Sequence, residues 1–249
     1  MNFLKKIFYG LFCKTYRFII KIFYKIKFKK SNIKNLNYKC LKYSKNKDLK
    51  SFLQLENKKL IKSDYQEIFI FKKKELKKLI DFIFDNDFKT FLYKKSNCCF
   101  SVDFISIYKN KYLNKKERMK SLYANLLHID KPFSKFTLKL FIPVNVINEK
   151  FGTLEVKNIK PENLLRNYNS KEYFKLFAEE NKTNIFLFNP SQNFHRANSP
   201  HKNKESQNII IQLNPSKNWS YCSHLYKKQF MIEPNFPEIR NLKIRKILF

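Results

Sequence analysis

Two of the four histidines, His128 and His195, carry the strongest chemical signal in the sequence. Asp130 follows His128 by two positions, and His195 lies well downstream, each beside a segment rich in β-formers. Side chains two apart on a strand face the same way, so His128 and Asp130 can point inward together. With His195 they can supply three ligands to one face of a metal. Two imidazoles and a carboxylate suit divalent iron and leave positions open for a chelating cosubstrate and for dioxygen. A His-x-Asp triplet is common by chance, so the surrounding elements must carry the assignment.

Those elements read mostly as strands. Residues 122–129 form a strand candidate ending at His128; 136–146 and 153–157 form two more, parted by a turn at Gly152. Residues 184–189 and 207–214 flank His195, and 66–71 and 98–108 lie upstream. Between them, 110–120 reads as a polar insert and 161–182 as a helix or long loop. The sequence predicts one scaffold helix over 73–93, because Leu76, Leu79, Ile80, Ile83, Phe84, Phe88, Phe91 and Leu92 recur at helical spacing. Many short strands with turn signals predict a mainly β fold with flanking helices. The expected core is a double-stranded β-helix, the cupin-like jelly roll that holds metal ligands between two sheets. The β-helix domain is expected over 66–249, preceded by a polar connection over 31–65, with a C-terminal tail from 216 over the barrel mouth or a sheet edge.

Residues 1–30 predict a basic amphipathic helix. Lys6, Lys14, Arg17, Lys21 and Lys25 share one side, and Phe3, Leu4, Ile7, Phe8, Leu11, Phe12, Phe18, Ile19, Ile22, Phe23 and Ile26 dominate the rest. Its uncharged runs are far shorter than the roughly 20 residues a spanning helix needs, and it lacks a secretory signal's apolar region and cleavage site. It fits a helix lying on an anionic membrane surface, or one packed on the domain with solvated lysines. The formal charge of +32 would attract anionic partners. Abundant Lys, Asn, Ile, Phe and Tyr beside only two glycines is also what AT-rich coding produces. The lysines are spread along the chain and no nucleic-acid motif occurs, so no specific nucleic acid is expected. Five cysteines without Cys-x-x-Cys spacing indicate reduced thiols and a cytoplasmic protein, peripheral to the membrane at most.

Residues 124–215 resemble the phytanoyl-CoA dioxygenase-like branch of the Fe(II)/2-oxoglutarate-dependent oxygenases. Three blocks carry the resemblance: Ala124-Asn125-Leu126-Leu127-His128-Ile129-Asp130; Leu138 to Val146 followed by Gly152-Thr153-Leu154-Glu155-Val156; and Phe194-His195-Arg196-Ala197-Asn198-Ser199-Pro200, with the strand leading to Pro215. The resemblance implies that His128, Asp130 and His195 bind Fe(II) and form the catalytic centre, with 2-oxoglutarate as cosubstrate. The implied reaction is oxidative decarboxylation to succinate coupled to hydroxylation of a small or lipid-linked metabolite by dioxygen. Retention of Asp130 argues against the halogenating relatives.

The family's cosubstrate-binding Arg falls here at about Ser206, between Glu205 and Gln207. A bidentate Arg is not simply replaced by Lys, and Lys139 is the best substitute, with Lys204 and Asn125 also assigned to cosubstrate and Arg196 to substrate. Lys157-Asn158-Ile159 stands where the family has Gly-Ser-His. The missing Arg motivates an alternative: an inactive oxygenase-fold binding module. A basic nucleic-acid or membrane-surface binder is a third reading.

Overall fold

The computed structural model describes residues 31–37, 39–53, 55, 58–62, 64–120, 122–130, 136–157 and 173–221, together with Phe28 and the helical positions 15, 18, 19, 22, 25 and 26. Most of the helix expected over 1–30, and the tail beyond 221, lie outside the described residues. Among those described, no helix is long and apolar enough to cross a membrane.

The strands are β1 (Cys40–Lys45), β2 (Lys59–Lys62), β3 (Gln66–Ile70), β4 (Cys99–Asn110), β5 (Leu138–Pro143), β6 (Leu154–Lys157), β7 (Tyr173–Leu176), β8 (Thr183–Phe188), β9 (His195–Ala197), β10 (Ser206–Ser216) and β11 (Ser220–Tyr221). They form two sheets. The larger runs β1-β8-β5-β10-β4-β3-β2, with β11 beside β4; the smaller runs β7-β6-β9. All pairings are antiparallel except β11 with β4. The architecture is the mainly β, cupin-like jelly roll with flanking helices that the strand pattern predicts.

Period-two alternation divides the larger sheet into two faces. Leu138, Leu140 and Ile142 of β5, Ile185 and Leu187 of β8, and Ile209, Ile211 and Leu213 of β10 pack under the helices with Leu76, Leu79, Ile80, Ile83, Phe88 and Leu92. The opposite face sends Phe141, Phe186 and Phe188 toward Leu154, Val156, Leu176 and Ala197 of the smaller sheet. The barrel interior lies between these two sheets.

Several elements differ from the sequence reading. The single helix expected over 73–93 is two, Lys73–Ile83 and Asn86–Ser96. Phe84 leaves helical geometry, and the Asp85 carboxylate accepts from the Phe88 N–H at 3.0 Å, starting the second helix as an N-cap. That break turns Phe84 and Phe88 onto each other at 5.8 Å, so the apolar spacing continues across it. The connection expected over 31–65 contributes β1 and β2 to the larger sheet; lysines interrupt the apolar pattern of both segments, and in β1 Lys42 is exposed while Lys45 is buried. Residues 122–129 are not a strand. Tyr123 and Ala124 have φ of 33° and 62°, left-handed values incompatible with an extended ladder. Within 161–182, the described part holds β7. Trp219 packs beside Phe84 and Phe100 at the helix-side core.

The turn at Gly152 is present, with φ of 72°. A Cβ there would stand 2.5 Å from both the Asn198 carbonyl oxygen and the Pro200 nitrogen. Only glycine satisfies both the dihedral and the approach, which docks the turn before β6 against the chain leaving β9.

Candidate metal centre

His195 opens β9, and His128 reaches it from the loop before β5. The two residues form a reciprocal backbone bridge: the His128 N–H donates to the His195 carbonyl at 3.1 Å, and the His195 N–H donates to the His128 carbonyl at 2.9 Å. The Asp130 N–H donates to the Pro190 carbonyl at 2.8 Å. The left-handed pair at 123–124 makes this possible by turning the loop so that the Ala124 carbonyl accepts from the Ala197 N–H at 2.9 Å. The loop is thus stitched along β9 from Ala124 to His128.

The side chains converge. Potential ligand atoms of His128, Asp130 and His195 all lie within 4.8 Å of one another. Asp130 Oδ1 stands 3.4 Å from His128 Nε2 and 3.7 Å from His195 Nε2. The imidazole centroids are 4.4 Å apart, and Phe188 packs against His195 at 5.1 Å.

Backbone carbonyls select the tautomers. His128 Nδ1 donates to the Leu126 carbonyl at 2.8 Å, and His195 Nδ1 donates to the Asn193 carbonyl at 3.0 Å. A carbonyl only accepts, so each Nδ1 carries a proton and each neutral ring offers its Nε2 lone pair to the centre. Second partners of this kind orient histidine ligands. Burial, reinforced by the Lys139 charge, pushes the His195 pKa down to about 3, so this ring is neutral at pH 7. When protonated, His128 donates from Nε2 to the Asp130 carboxylate, and this raises its pKa above the ordinary value against the opposing effect of burial. For Asp130, burial acts upward but is outweighed by the hydrogen bond from protonated His128 and the Lys139 charge, with His195 adding to them only once it protonates at low pH, and the carboxyl is held well below the carboxylate range.

This donor set fits a divalent transition metal. Two aligned Nε2 atoms and an ionised carboxylate oxygen bring three electron-pair donors to one point, an arrangement that calls for a positive charge among them.

Lys139 lies beside these groups. It is on β5, opposite Gln212 of β10 and Phe188 of β8, and its face is that of Phe141, the barrel interior. Its ammonium pairs with Asp130 Oδ2, and its side chain is only 15% exposed. The other residues assigned to cosubstrate or substrate stand elsewhere. Asn125 uses its amide within its own loop, accepting from the Leu122 N–H at 2.8 Å and donating to the Arg118 carbonyl at 2.9 Å. Lys204 lies over the Phe151 ring at 5.2 Å, on an exposed turn. Arg196 points away from the barrel interior: its Nε donates to Glu155 at 2.8 Å and its guanidinium covers the Tyr173 ring. Ser206, where the sequence resemblance leads one to expect an Arg, is buried at the start of β10 opposite Asn110.

Further inward-facing residues escaped the sequence reading. The β10 alternation that sends Ile209, Ile211 and Leu213 to the helix side sends Asn208, Gln212 and Asn214 into the barrel. All three are nearly fully buried. Asn214 accepts from the Thr137 hydroxyl at 2.6 Å and donates to Asp103, which also accepts from Ser101 at 2.6 Å. Tyr108 stands opposite Asn208, and burial pushes its phenol pKa upward. The signal was present as polar residues at every second position but one of 208–214, a run that reads otherwise as an apolar strand.

No protein-family model matches the chain, and no curated protein matches it in sequence. Among solved structures, the chain is similar to the non-heme alpha ketoglutarate dependent epimerase SnoN from nogalamycin biosynthesis, at 8% identity and a TM-score of 0.47, covering 72% of this chain and 78% of that one. HygX from Streptomyces hygroscopicus, with nickel and 2-oxoglutarate bound, is similar at 7% identity and a TM-score of 0.47, covering 73% and 84%. AtDAO1, dioxygenase for auxin oxidation 1 from Arabidopsis thaliana, is similar at 12% identity and a TM-score of 0.33, covering 73% and 74%.

Proposed function

We propose that this chain is an Fe(II)- and 2-oxoglutarate-dependent dioxygenase that hydroxylates a small or lipid-linked metabolite. The convergence of His128, Asp130 and His195 within 4.8 Å is the observation that carries the reading. The three sequence blocks around these residues support placing it with the phytanoyl-CoA dioxygenase-like branch. In this reading the three side chains hold iron on one face, and the bound metal supplies activation of dioxygen and of the 2-oxo acid. The protein's part is positional. The Leu126 and Asn193 carbonyls aim the imidazoles, and Phe188 packs an apolar ring against His195. Lys139 supplies positive charge for an anionic cosubstrate.

The test is conversion of 2-oxoglutarate to succinate with added Fe(II), followed by mass spectrometry. Wild-type protein that binds no iron, or a His128→Ala variant that binds it as well as wild type, overturns the reading. A second reading, an inactive binding module, draws on the buried Ser206 in place of the Arg. Calorimetry separates the two: metal-loaded protein with no affinity for 2-oxoglutarate favours the module.

Peripheral membrane contact through residues 1–30 is part of the proposal. Its support among the described residues is the exposure of Phe18, Ile19, Ile22 and Ile26, spaced on one side of a helix. Deletion of residues 1–30 is expected to abolish co-sedimentation with phosphatidylserine vesicles; unchanged sedimentation removes this element.

A further inference from the structure

The turn between β8 and β9, residues 189–193, meets the centre twice. Its Pro190 carbonyl accepts from the Asp130 N–H at 2.8 Å, and its Asn193 carbonyl accepts from His195 Nδ1 at 3.0 Å. One short turn therefore sets the backbone of the carboxylate residue and the ring of an imidazole. Two fully buried asparagines hold its shape. Asn189 Oδ1 accepts from the Ser191 N–H at 3.0 Å and the Ser191 hydroxyl at 2.8 Å, a side-chain turn to which asparagine is suited. The Asn189 carbonyl accepts from the N–H groups of Gln192 at 3.1 Å and Asn193 at 2.8 Å. At the far end, Asn193 Nδ2 donates to the Lys157 carbonyl at 3.0 Å and ties the turn to β6. A third asparagine joins from 152 positions away: Asn189 Nδ2 donates to Asn37 Oδ1 at 2.9 Å. Acceptance from a backbone N–H fixes which end of the Asn189 amide is the oxygen, so Nδ2 is the end that faces Asn37. Asn37 follows the short helix Asn32–Leu36, whose Ile33 and Leu36 are buried in the helix-side core. The turn is thus fastened to the apolar back of the molecule through one amide pair.

We propose that Asn37, Asn189 and Asn193 are positioning residues of the metal centre, a relay of amides that fixes the 189–193 turn and through it the backbone of Asp130 and the ring of His195. This deepens the reading above and rests on it for the metal. Donors bind a metal tightly when their outer hydrogen bonds hold them in place, and losing such a bond costs about ten- to a hundredfold in affinity. A turn released from Asn189 lets the Asn193 carbonyl leave His195 Nδ1. The neutral imidazole then divides its proton between two nitrogens, and part of the population no longer offers the Nε2 lone pair. Asn37 acts on the donors only through Asn189, so its role depends on its acceptor oxygen and not on contact with the centre.

The test reads two quantities in wild type, Asn189→Ala, Asn37→Leu and Asn37→Asp. One is Ni(II) affinity by calorimetry on the folded protein; the other is the proton position on His195, by imidazole nitrogen NMR at pH 7 in chelator. Asn189→Ala is expected to weaken Ni(II) about tenfold or more and to move His195 from the Nδ1–H form to a mixture of tautomers. Asn37→Leu is expected to weaken Ni(II) about fivefold, whereas Asn37→Asp keeps the acceptor and stays within about twofold of wild type. Denaturation curves report stability separately. Variants that are less stable yet keep wild-type Ni(II) affinity and the wild-type His195 tautomer while folded overturn the proposal, because the asparagines would then only support the fold. An Asn37→Asp as damaging to Ni(II) binding as Asn37→Leu also overturns it. A misfolded Asn189→Ala passes the decision to Asn37→Leu, with the same criteria. Wild-type protein that binds no Ni(II) defeats the functional reading itself, and the His195 tautomer alone then decides the positioning role.

Discussion

Strands β5, β8 and β10 show one face to the helices and the other to the barrel interior, and the two faces use different chemistry. The helix side is aliphatic: Leu138, Leu140, Ile142, Leu187, Ile209 and Ile211 are essentially inaccessible to water. The interior side of the same strands alternates Lys139, Phe141, Asn208, Gln212 and Asn214 with only part of that apolar content. The difference shows how one set of strands is held rigid from behind while its front keeps polar groups that need partners. Burial of the back face stabilises by roughly 25 cal/mol per Å² of apolar surface. The front face contributes less to stability and carries the groups that can recognise a charged ligand.

Mutations that act on one face alone break this comparison most directly. His195→Ala removes a proposed ligand and is expected to reduce Ni(II) affinity at least a hundredfold. The unfolding free energy without metal should change little or even rise, which denaturant titration in chelator checks. Leu140→Ala is the converse. A cavity under the helices is expected to cost about 3 kcal/mol of stability, while Ni(II) affinity of the folded protein at low temperature stays within threefold of wild type. Equal damage to both properties by either variant would show that the two faces are not separable. Gly152→Ala lies between them. The positive φ and the 2.5 Å approach to Asn198 and Pro200 predict a loss of about 2 kcal/mol, read in the denaturation midpoint.

The smallest expected effect is a pH dependence with two signs. His195 has a folded pKa of about 3, below its ordinary value, so the unfolded chain gains a proton first. Its contribution to stability is present above about pH 6.5 and falls as pH drops, by about 1–2 kcal/mol near pH 5. His128, raised by Asp130, acts in the opposite sense: its contribution is complete below the ordinary histidine value and is lost as pH rises through the raised one. Metal-free His195→Gln is therefore expected to lose less stability between pH 7 and 5 than wild type. Denaturation curves at the two pH values in chelator measure this, and an unchanged loss would place the titration elsewhere.

Much of the fold was legible because its signals are local. The alternation in 138–143, 183–188 and 206–216 marks strands without reference to the rest of the chain, and Gly152 marks its turn. The helix over 73–93 was legible as an apolar stripe, but its break was not, because Asp85 as an N-cap looks like one more exposed acid. The strand expected over 122–129 is a loop for a physical reason. Its apolar residues suggest a ladder, while left-handed backbone at Tyr123 and Ala124 comes from contacts with Lys111 and β9 that lie far away in sequence. The three residues that converge, His128, Asp130 and His195, stand out by type and spacing. The partnership of Lys139 with Asp130, and the engagement of Asn125, Lys204 and Arg196 in other contacts, depend on strand register and side-chain direction, which one sequence does not display.

The bridge between His128 and His195 also bears on the order in which the protein comes together. Its two hydrogen bonds join residues separated by the whole course of the chain from β5 to β8, so they form only after that long loop has closed. Contacts of such separation are slow, since the closure entropy is lost before the contact repays it. His195 is therefore apart from His128 and Asp130 throughout synthesis and early collapse, and a nascent chain holds an incomplete donor set. Assembly of the donors is a late event, and on the proposed reading any selection of a metal belongs to the finished barrel, whose Lys139 already stands against Asp130.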